Sequence, residues 1–243
     1  MGSDEYDVEV TMEEIPLKRS FELDIRLAFI VITAAVSLLY VYMTWIFAPP
    51  DAILGEDVRI FFQHVAPALV AYGLFGGTLL CGIMYLWKGN LDYDILGAVC
   101  IKLGLLFTTI TLLTGMMWAD AAWGSPWNWD PRETTTLILW VAYACILAYR
   151  ASVTDREARA QFGSIFGIVA FPMVILSYLS IRIWETLHPI VIEPSGLQME
   201  VEHMMTLFVA MIAVTMIALV LVELSYKIDS MQEKLMRIRM ERS

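Results

Sequence analysis

The chain has 243 residues, of which 58% are hydrophobic and 17% are charged, and its formal net charge is −10. Soluble domains carry about 45–50% apolar and about 25% charged residues, so this composition excludes an ordinary soluble domain and a disordered chain. Three dispersed cysteines do not form a disulfide scaffold, and the negative charge argues against the basic face of a nucleic-acid-binding protein.

Six apolar stretches are long enough, or nearly so, to cross a membrane, because about 20 helical residues cover roughly 30 Å of hydrocarbon. Charged residues, glycine or proline bound each of them. The predicted fold class is therefore all-α, a polytopic membrane protein with a six-transmembrane-helix bundle. The stretches are 27–48, 67–87, 95–117, 134–150, 162–183 and 204–224.

Basic residues are distributed unevenly between the two sides of this bundle. With the N-terminus inside, the inner segments hold twelve Lys and Arg residues and the outer segments hold three, and Lys102 lies within the third stretch. Positive charge marks the cytoplasmic side of membrane proteins, so both termini are predicted to be cytoplasmic. The predicted location is the cytoplasmic (inner) membrane, with the lipid bilayer around residues 26–225.

Two tails flank this membrane domain. Residues 1–25 form a predicted acidic cytoplasmic tail, with six acids and no base in its first sixteen residues. Residues 226–243 form a predicted basic amphipathic cytoplasmic tail, in which basic residues alternate with an apolar stripe. Such a helix either lies on the inner leaflet or docks on a partner. The stripe is Ile228, Met231, Leu235 and Ile238, and the bases are Lys234, Arg237 and Arg239.

All three histidines fall at the predicted outer boundary. His64 precedes the second stretch, with Pro67 predicted in the first helical turn, where a missing N–H costs nothing. His188 follows the fifth stretch, and His203 begins the sixth. Imidazole binds transition metals near pH 7, so His64 and His188, which flank the same outer loop, are candidate metal ligands. His203 is interpreted as an ordinary polar residue at a helix end.

The outer loop 118–134 holds four of the eight tryptophans, together with two prolines that stiffen it. A rigid set of indoles beside two histidines suits heme, because indole faces cover the macrocycle and imidazoles take the axial positions. Asp130 or Thr134 can cap the fourth helix. Arg132 and Arg182 are outer cations that can meet heme propionates, although Arg132 can equally pair with Asp130. The tryptophans are Trp118, Trp123, Trp127 and Trp129.

This loop resembles the tryptophan-rich WWD motif of heme-handling proteins in cytochrome c maturation. The matching residues are Trp123-Gly124, Trp127, Trp129-Asp130, Arg132 and Thr134. The six-span length, and segments 59–65 and 180–188 around the two histidines, resemble CcmC more than its larger relatives CcmF and CcsA. The resemblance covers about residues 26–225, and it departs from the family at Pro126, where an aromatic residue is usual.

The resemblance implies that the protein binds b-type, non-covalent heme at an extracytoplasmic platform and delivers it to a CcmE-like heme chaperone. It implies His64 and His188 as axial ligands of the iron, and a cradle of Trp123, Trp127, Trp129 and Asp130. The implied partners are ABC transporter subunits similar to CcmA and CcmB and a small subunit similar to CcmD. Since the sequence has no Gly-x-x-x-x-Gly-Lys-[Ser/Thr] loop and no Cys-x-x-Cys-His, we expect a binding and transfer protein rather than an enzyme or a c-type cytochrome.

Three other interpretations remain open at this point. A membrane cytochrome b usually carries paired histidines deep inside its helices, which this sequence lacks. An oligosaccharyltransferase-like enzyme has a Trp-Trp-Asp motif followed by Tyr-Gly, whereas Pro131 follows here. A heme-free membrane scaffold is the third. Lys102 either extends its amine to the inner boundary or takes part in moving heme.

Overall fold

A computed structural model of the chain describes residues 14–189, 192–193, 196–197 and 199–241. Seven α-helices make up most of it, and a π-helical turn over Met43–Phe47 extends the first. Two-residue strands β1 (Ile192–Glu193) and β2 (Gly196–Leu197) pair antiparallel. The helices are α1 (Glu14–Tyr42), α2 (Val58–Lys88), α3 (Leu91–Trp123), α4 (Pro131–Ser152), α5 (Arg156–Ala170), α6 (Pro172–Ile183) and α7 (Val201–Glu241).

Six helical segments are long and apolar enough to cross a membrane, which confirms the predicted six-span, all-α membrane fold. α5 and α6 together form the fifth span, 156–183, and they meet at Phe171 and Pro172. Pro172 lacks the N–H that would continue the helical hydrogen bonds. The N–H of Phe171 donates instead to the carbonyl of Ile168, three residues earlier, at 3.2 Å. An even number of spans brings the start of α1 and the end of α7 to the same end of the bundle. We call it the termini end, and the opposite end, with residues 48–57, 124–130 and 184–189, the site end.

α2 begins nine residues before Pro67, so the prediction that this proline occupies a first turn is wrong. The reason is packing. Phe62, Ala66 and Val70, spaced four residues apart, are buried along one face of the helix. That apolar face holds the chain helical through the proline. His64 consequently lies inside α2, near its start, rather than in a loop before it.

The segment 118–134 is mostly helical, which corrects its interpretation as an outer loop. Residues 118–123 complete α3, which ends at Gly124 with a φ of 73°, a left-handed conformation that glycine adopts without strain. Residues 131–134 form the first turn of α4. Only residues 124–130 join the two helices, so the tryptophan-rich segment is held at both ends by helix termini.

α7 continues through residues 226–241 as one helix of 41 residues, about 61 Å long. No break occurs at the predicted boundary between 225 and 226. Its last turns are bound to the bundle by ion pairs: Asp229 to Lys102 of α3 at 2.7 Å, and Glu233 to Arg156 and Arg159 of α5 at 2.5 and 3.2 Å. Lys102 therefore extends towards the termini end and meets a carboxylate there. Most of the predicted acidic tail, residues 1–13, lies outside the described residues.

Two contacts fix α7 antiparallel beside α1. At the site end, His203 Nε2 lies 2.9 Å from the Pro49 carbonyl, and towards the termini end Arg26 Nε lies 3.1 Å from Glu223 Oε1. At the termini end the buried carboxylate of Asp94 also accepts two hydrogen bonds from Arg150, at 2.5 and 3.0 Å, which ties α3 to α4. These contacts fix α3, α4 and α7 relative to their neighbours, and the same helices carry site residues at the site end.

Candidate functional site

The orientation of His64 is set by α3. Its Nδ1 lies 3.0 Å from the carbonyl oxygen of Thr111 and 3.5 Å from Oγ1 of Thr114. A carbonyl oxygen only accepts, so Nδ1 carries the proton and Nε2 of the neutral ring carries the lone pair. The imidazole packs directly on Gly115, where an added Cβ would stand 2.8 Å from Cε1 of His64. Glycine at this position is what lets the ring lie against α3.

His188 has the same tautomer for a different reason. Its Nδ1 lies 2.8 Å from Oδ1 of Asp130, and an ionised carboxylate only accepts, so Nδ1 again carries the proton. Burial lowers the pKa of His188 below its ordinary value, and the neighbouring carboxylate only partly offsets that effect. The ring is therefore neutral at pH 7, with its lone pair on Nε2. The indole of Trp123 packs edge-on against it, with ring centroids 5.0 Å apart.

The carboxylate of Asp130 connects the separate parts of the site through four hydrogen bonds. Burial raises the pKa of its carboxyl, but hydrogen bonds from Thr186, Leu187 and Arg132 and the nearby imidazole outweigh burial, so the net pKa is lowered and the group is ionised. It caps α4 as predicted, through the Arg132 N–H at 2.9 Å. Its Oδ2 accepts from Thr186 Oγ1 and from the Leu187 N–H, both at 2.7 Å. One buried carboxylate thus fixes the start of α4, the segment after α6 and the imidazole of His188.

Two adjoining cavities at the site end share His64, His188 and Arg132 as walls. The larger holds about 850 Å³ of empty space, including space open to the surroundings, and the smaller holds about 430 Å³ by the same measure. The larger is mainly apolar, whereas the smaller includes tyrosine, threonine and glutamate side chains. Further walls of the larger cavity are Phe61, Leu69, Trp118, Ile181 and Leu207; those of the smaller are Tyr72, Trp127, Glu133 and Thr136.

Arg132 lies between the two cavities. Its Nη2 donates to the carbonyl of Tyr178 at 3.0 Å, and its Nε is buried with no hydrogen-bond partner among the described residues. The carboxylate of Asp130 bonds to the backbone N–H of Arg132, and among the described residues no hydrogen bond joins it to the guanidinium. Arg182 lines the larger cavity, with its guanidinium 5.7 Å from the ring centre of Tyr178. A buried donor without a partner is costly, and an anionic group of a ligand would satisfy it.

The four predicted tryptophans take different positions. Trp118 lines the larger cavity, Trp127 lines the smaller, and Trp123 packs on His188. Trp129 is 71% exposed, has a φ of 58°, and meets Trp127 edge-to-face at 5.6 Å. Left-handed backbone is uncommon outside glycine and is concentrated at functional sites. The structure thus presents one indole outward and gathers the other three around the histidines.

His203 is not part of this arrangement, since it is buried at the start of α7 and bonds to the Pro49 carbonyl. Sequence reasoning missed Gly115, Thr111 and Thr186, which position the two imidazoles. A glycine in the third span, four residues after a buried threonine, does not by itself signal a histidine contact. It becomes meaningful only when α2 and α3 are seen side by side.

Comparison with known proteins identifies the family of this chain. The family model "CcmC: Heme exporter protein C" matches residues 17–241. Relatives named heme exporter protein C include those of Haemophilus influenzae (32% identity over 58% of each chain), Bradyrhizobium diazoefficiens (30% over 70% of this chain and 65% of the relative) and Escherichia coli K12 (29% over 64% and 65%). In each case the match spans less than two thirds of the relative's length. Because the family model covers most of the sequence, the chain belongs to the CcmC family of cytochrome c maturation proteins.

Proposed function

We propose that this chain handles heme for cytochrome c maturation, binding it at the site end with His64 and His188 as axial ligands. The observation that carries the proposal is the shared tautomer of the two histidines. Each ring donates its Nδ1 proton to a fixed acceptor, at 3.0 and 2.8 Å, and keeps the Nε2 lone pair for a metal. Among the described residues, neither Nε2 has a hydrogen-bond partner. Metal-binding histidines are typically oriented in this way.

The side chains around the histidines suit a porphyrin in their apolar character and in their charge. The larger cavity presents apolar and aromatic walls, which suit the macrocycle. The buried, unpartnered Nε of Arg132 and the guanidinium of Arg182 supply positive charge for the propionates. In this proposal the heme is surrounded by Trp118, Trp123, Trp127, Trp129 and Asp130. The heme is held as b-type heme, without a covalent link, since its role is to be passed on.

The site combines two imidazoles that are ready to bind iron with a short segment whose movement would release it. Heme supplies the iron that the two imidazoles bind, and the protein supplies orientation and partial exclusion of water. The lowered pKa keeps His188 in its ligand form at pH 7, and Asp130 holds the ring in place. Movement of the segment 184–189 away from α4 would remove one axial ligand and open the site. Transfer thus needs a shift of one segment, not unfolding of the bundle.

The relatives' name, heme exporter, supports placing the chain in a heme-delivery system. We propose a CcmE-like heme chaperone as the acceptor, CcmA- and CcmB-like ABC transporter subunits as the source of energy, and a CcmD-like small subunit as an accessory. We also propose that the protein resides in the cytoplasmic membrane with the site end extracytoplasmic, because twelve bases lie on the opposite side. The chain then acts in binding and transfer, and not as an enzyme.

The histidine assignment is tested by expressing the chain in heme-replete cells and recording absorption spectra of the purified protein. His64→Ala and His188→Ala are each expected to lose heme or to shift its Soret band. His203→Ala is the matched control, since that imidazole bonds to Pro49 and should leave the band unchanged. Wild-type spectra from both His64→Ala and His188→Ala would show that the ligand assignment is wrong.

The delivery step is tested separately by co-purification. A tagged CcmE-like chaperone is expected to retain the wild-type chain only when heme is present, and to lose it with His188→Ala. Equal capture in heme-depleted cells would refute heme-dependent transfer, while the spectral test would still stand.

A further inference from the structure

The last four turns of α7 carry an exposed surface that the proposed heme site does not use. Four apolar side chains along one stripe are between 44% and 66% exposed, in the same turns whose acids form the ion pairs of the termini end. Lys234 and Arg239 flank it and are exposed. We call this surface the α7 stripe; its apolar residues are Ile228, Met231, Leu235 and Ile238.

The opposite face of the same turns is already occupied. Asp229 and Glu233 point to the bundle and pair with bases of α3 and α5. Those two acids are paired with the bundle, whereas Lys234 and Arg239 lie on the stripe side, so that side carries positive charge. An apolar stripe flanked by bases is complementary to a segment that is apolar and acidic.

The register of α1 on α7 brings such a segment to this place. The Arg26–Glu223 pair and the His203–Pro49 hydrogen bond fix the two helices side by side in opposite directions. Twelve residues before Arg26, about 18 Å along the axis, α1 begins at Glu14. Over the same distance from Glu223, α7 reaches Leu235, in the middle of the stripe. The chain that precedes α1 therefore starts at the same level along the bundle axis as the α7 stripe.

That chain has the required chemistry. Residues 4–13 contain five acids and no base, and their remaining residues include tyrosine, two valines and a methionine. Attachment to α1 keeps this segment at a high effective concentration, so weak ion pairs suffice for docking. We propose that the acidic segment 4–13 docks on the α7 stripe of its own chain and covers it.

Hydrogen exchange of the full chain in phosphatidylcholine nanodiscs tests this proposal. Reversing the tail (Asp4, Glu5, Asp7 and Glu9 to Lys) should speed amide exchange over 228–239 by about tenfold, as the loss of several exposed ion pairs implies. Reversing the two bases that flank the stripe (Lys234 and Arg239 to Glu) should do the same. Combining both sets should restore slow exchange, because opposite charges again face each other.

The matched control reverses two exposed acids of the site end, Asp120→Lys and Glu185→Lys, which should leave exchange over 228–239 unchanged. Unchanged exchange over α3 in every variant shows that the bundle is folded. Wild-type exchange in the tail-reversed chain overturns the proposal. So does protection that requires phosphatidylglycerol and ignores the tail, since the bilayer would then cover the stripe. Protection lost on stripe reversal but not on tail reversal also overturns it, because the acidic segment then does not cover the stripe.

Discussion

Asp130→Asn replaces one carboxylate oxygen of Asp130 by an NH2 group, which donates hydrogen bonds and cannot accept them. The wild-type carboxylate accepts four hydrogen bonds, from His188 Nδ1, Arg132 N, Thr186 Oγ1 and Leu187 N, at 2.7 to 2.9 Å. An asparagine cannot accept at both positions. If its amide faces His188, the imidazole must move its proton to Nε2 and lose the lone pair that binds iron. If the amide faces Leu187, two N–H groups oppose each other and the segment carrying the histidine is displaced.

Either orientation weakens heme binding. Loss of a group that orients a metal ligand typically costs about 10- to 100-fold in affinity, or about 1.4–2.8 kcal/mol. The assay is titration of the purified apoprotein with heme, followed by its Soret absorbance, for wild type, Asp130→Asn and Asp120→Asn. Asp120 is exposed on α3, which makes it the matched control for loss of one outer acid. Equal affinities for all three proteins would refute the reasoning that Asp130 sets the state of His188.

Three further outcomes are expected. Gly115→Ala should lower heme affinity about tenfold, because the new Cβ stands 2.8 Å from Cε1 of His64 and displaces the ring. Arg150→Met should destabilise the bundle by about 3–5 kcal/mol in a denaturation assay, because it leaves the buried carboxylate of Asp94 without its partner. Heme affinity should stay constant from about pH 8 to about 6.5 and fall at lower pH, since the pKa of His188 is lowered and only its protonation removes the Nε2 lone pair.

Each of these outcomes has its own control. Gly73→Ala adds the same methyl group where nothing lies within 4 Å, and it should leave heme affinity unchanged. Lys102→Met breaks a half-exposed pair and should cost no more than about 1 kcal/mol. A loss of heme already centred above pH 6.5 would contradict the sign of the His188 shift.

The six spans were predictable because hydrocarbon thickness imposes a length and a composition that can be read locally. Helix ends were less predictable, because tertiary packing decides them. Phe62 and Ala66 extend α2 past the expected start, and nothing local to Pro67 reveals that those side chains are buried. Pro172 divides the fifth span because an apolar run does not show where its backbone ladder is interrupted.

The candidate site was likewise predictable in its residues but not in their contacts. His64 and His188 stood out because histidines are scarce in this chain and both flank one aromatic segment. What the sequence could not supply is their orientation. Thr111 and Gly115 act on His64 across an interface between helices, and Asp130 reaches His188 over 58 positions of chain. Contacts of this kind depend on which helices are neighbours, which composition and periodicity do not specify.

The unbroken length of α7 has a mechanical consequence. Residues 201–241 contain no glycine and no proline, so this helix has no built-in hinge. Its first turn is held to Pro49 beside the site, and its last turns are held by Asp229 and Glu233 at the other end. A tilt of 5° about its midpoint moves each end by about 2.6 Å, nearly the length of a hydrogen bond. Because nothing within α7 bends easily, its contacts at the two faces of the membrane are coupled through one stiff helix.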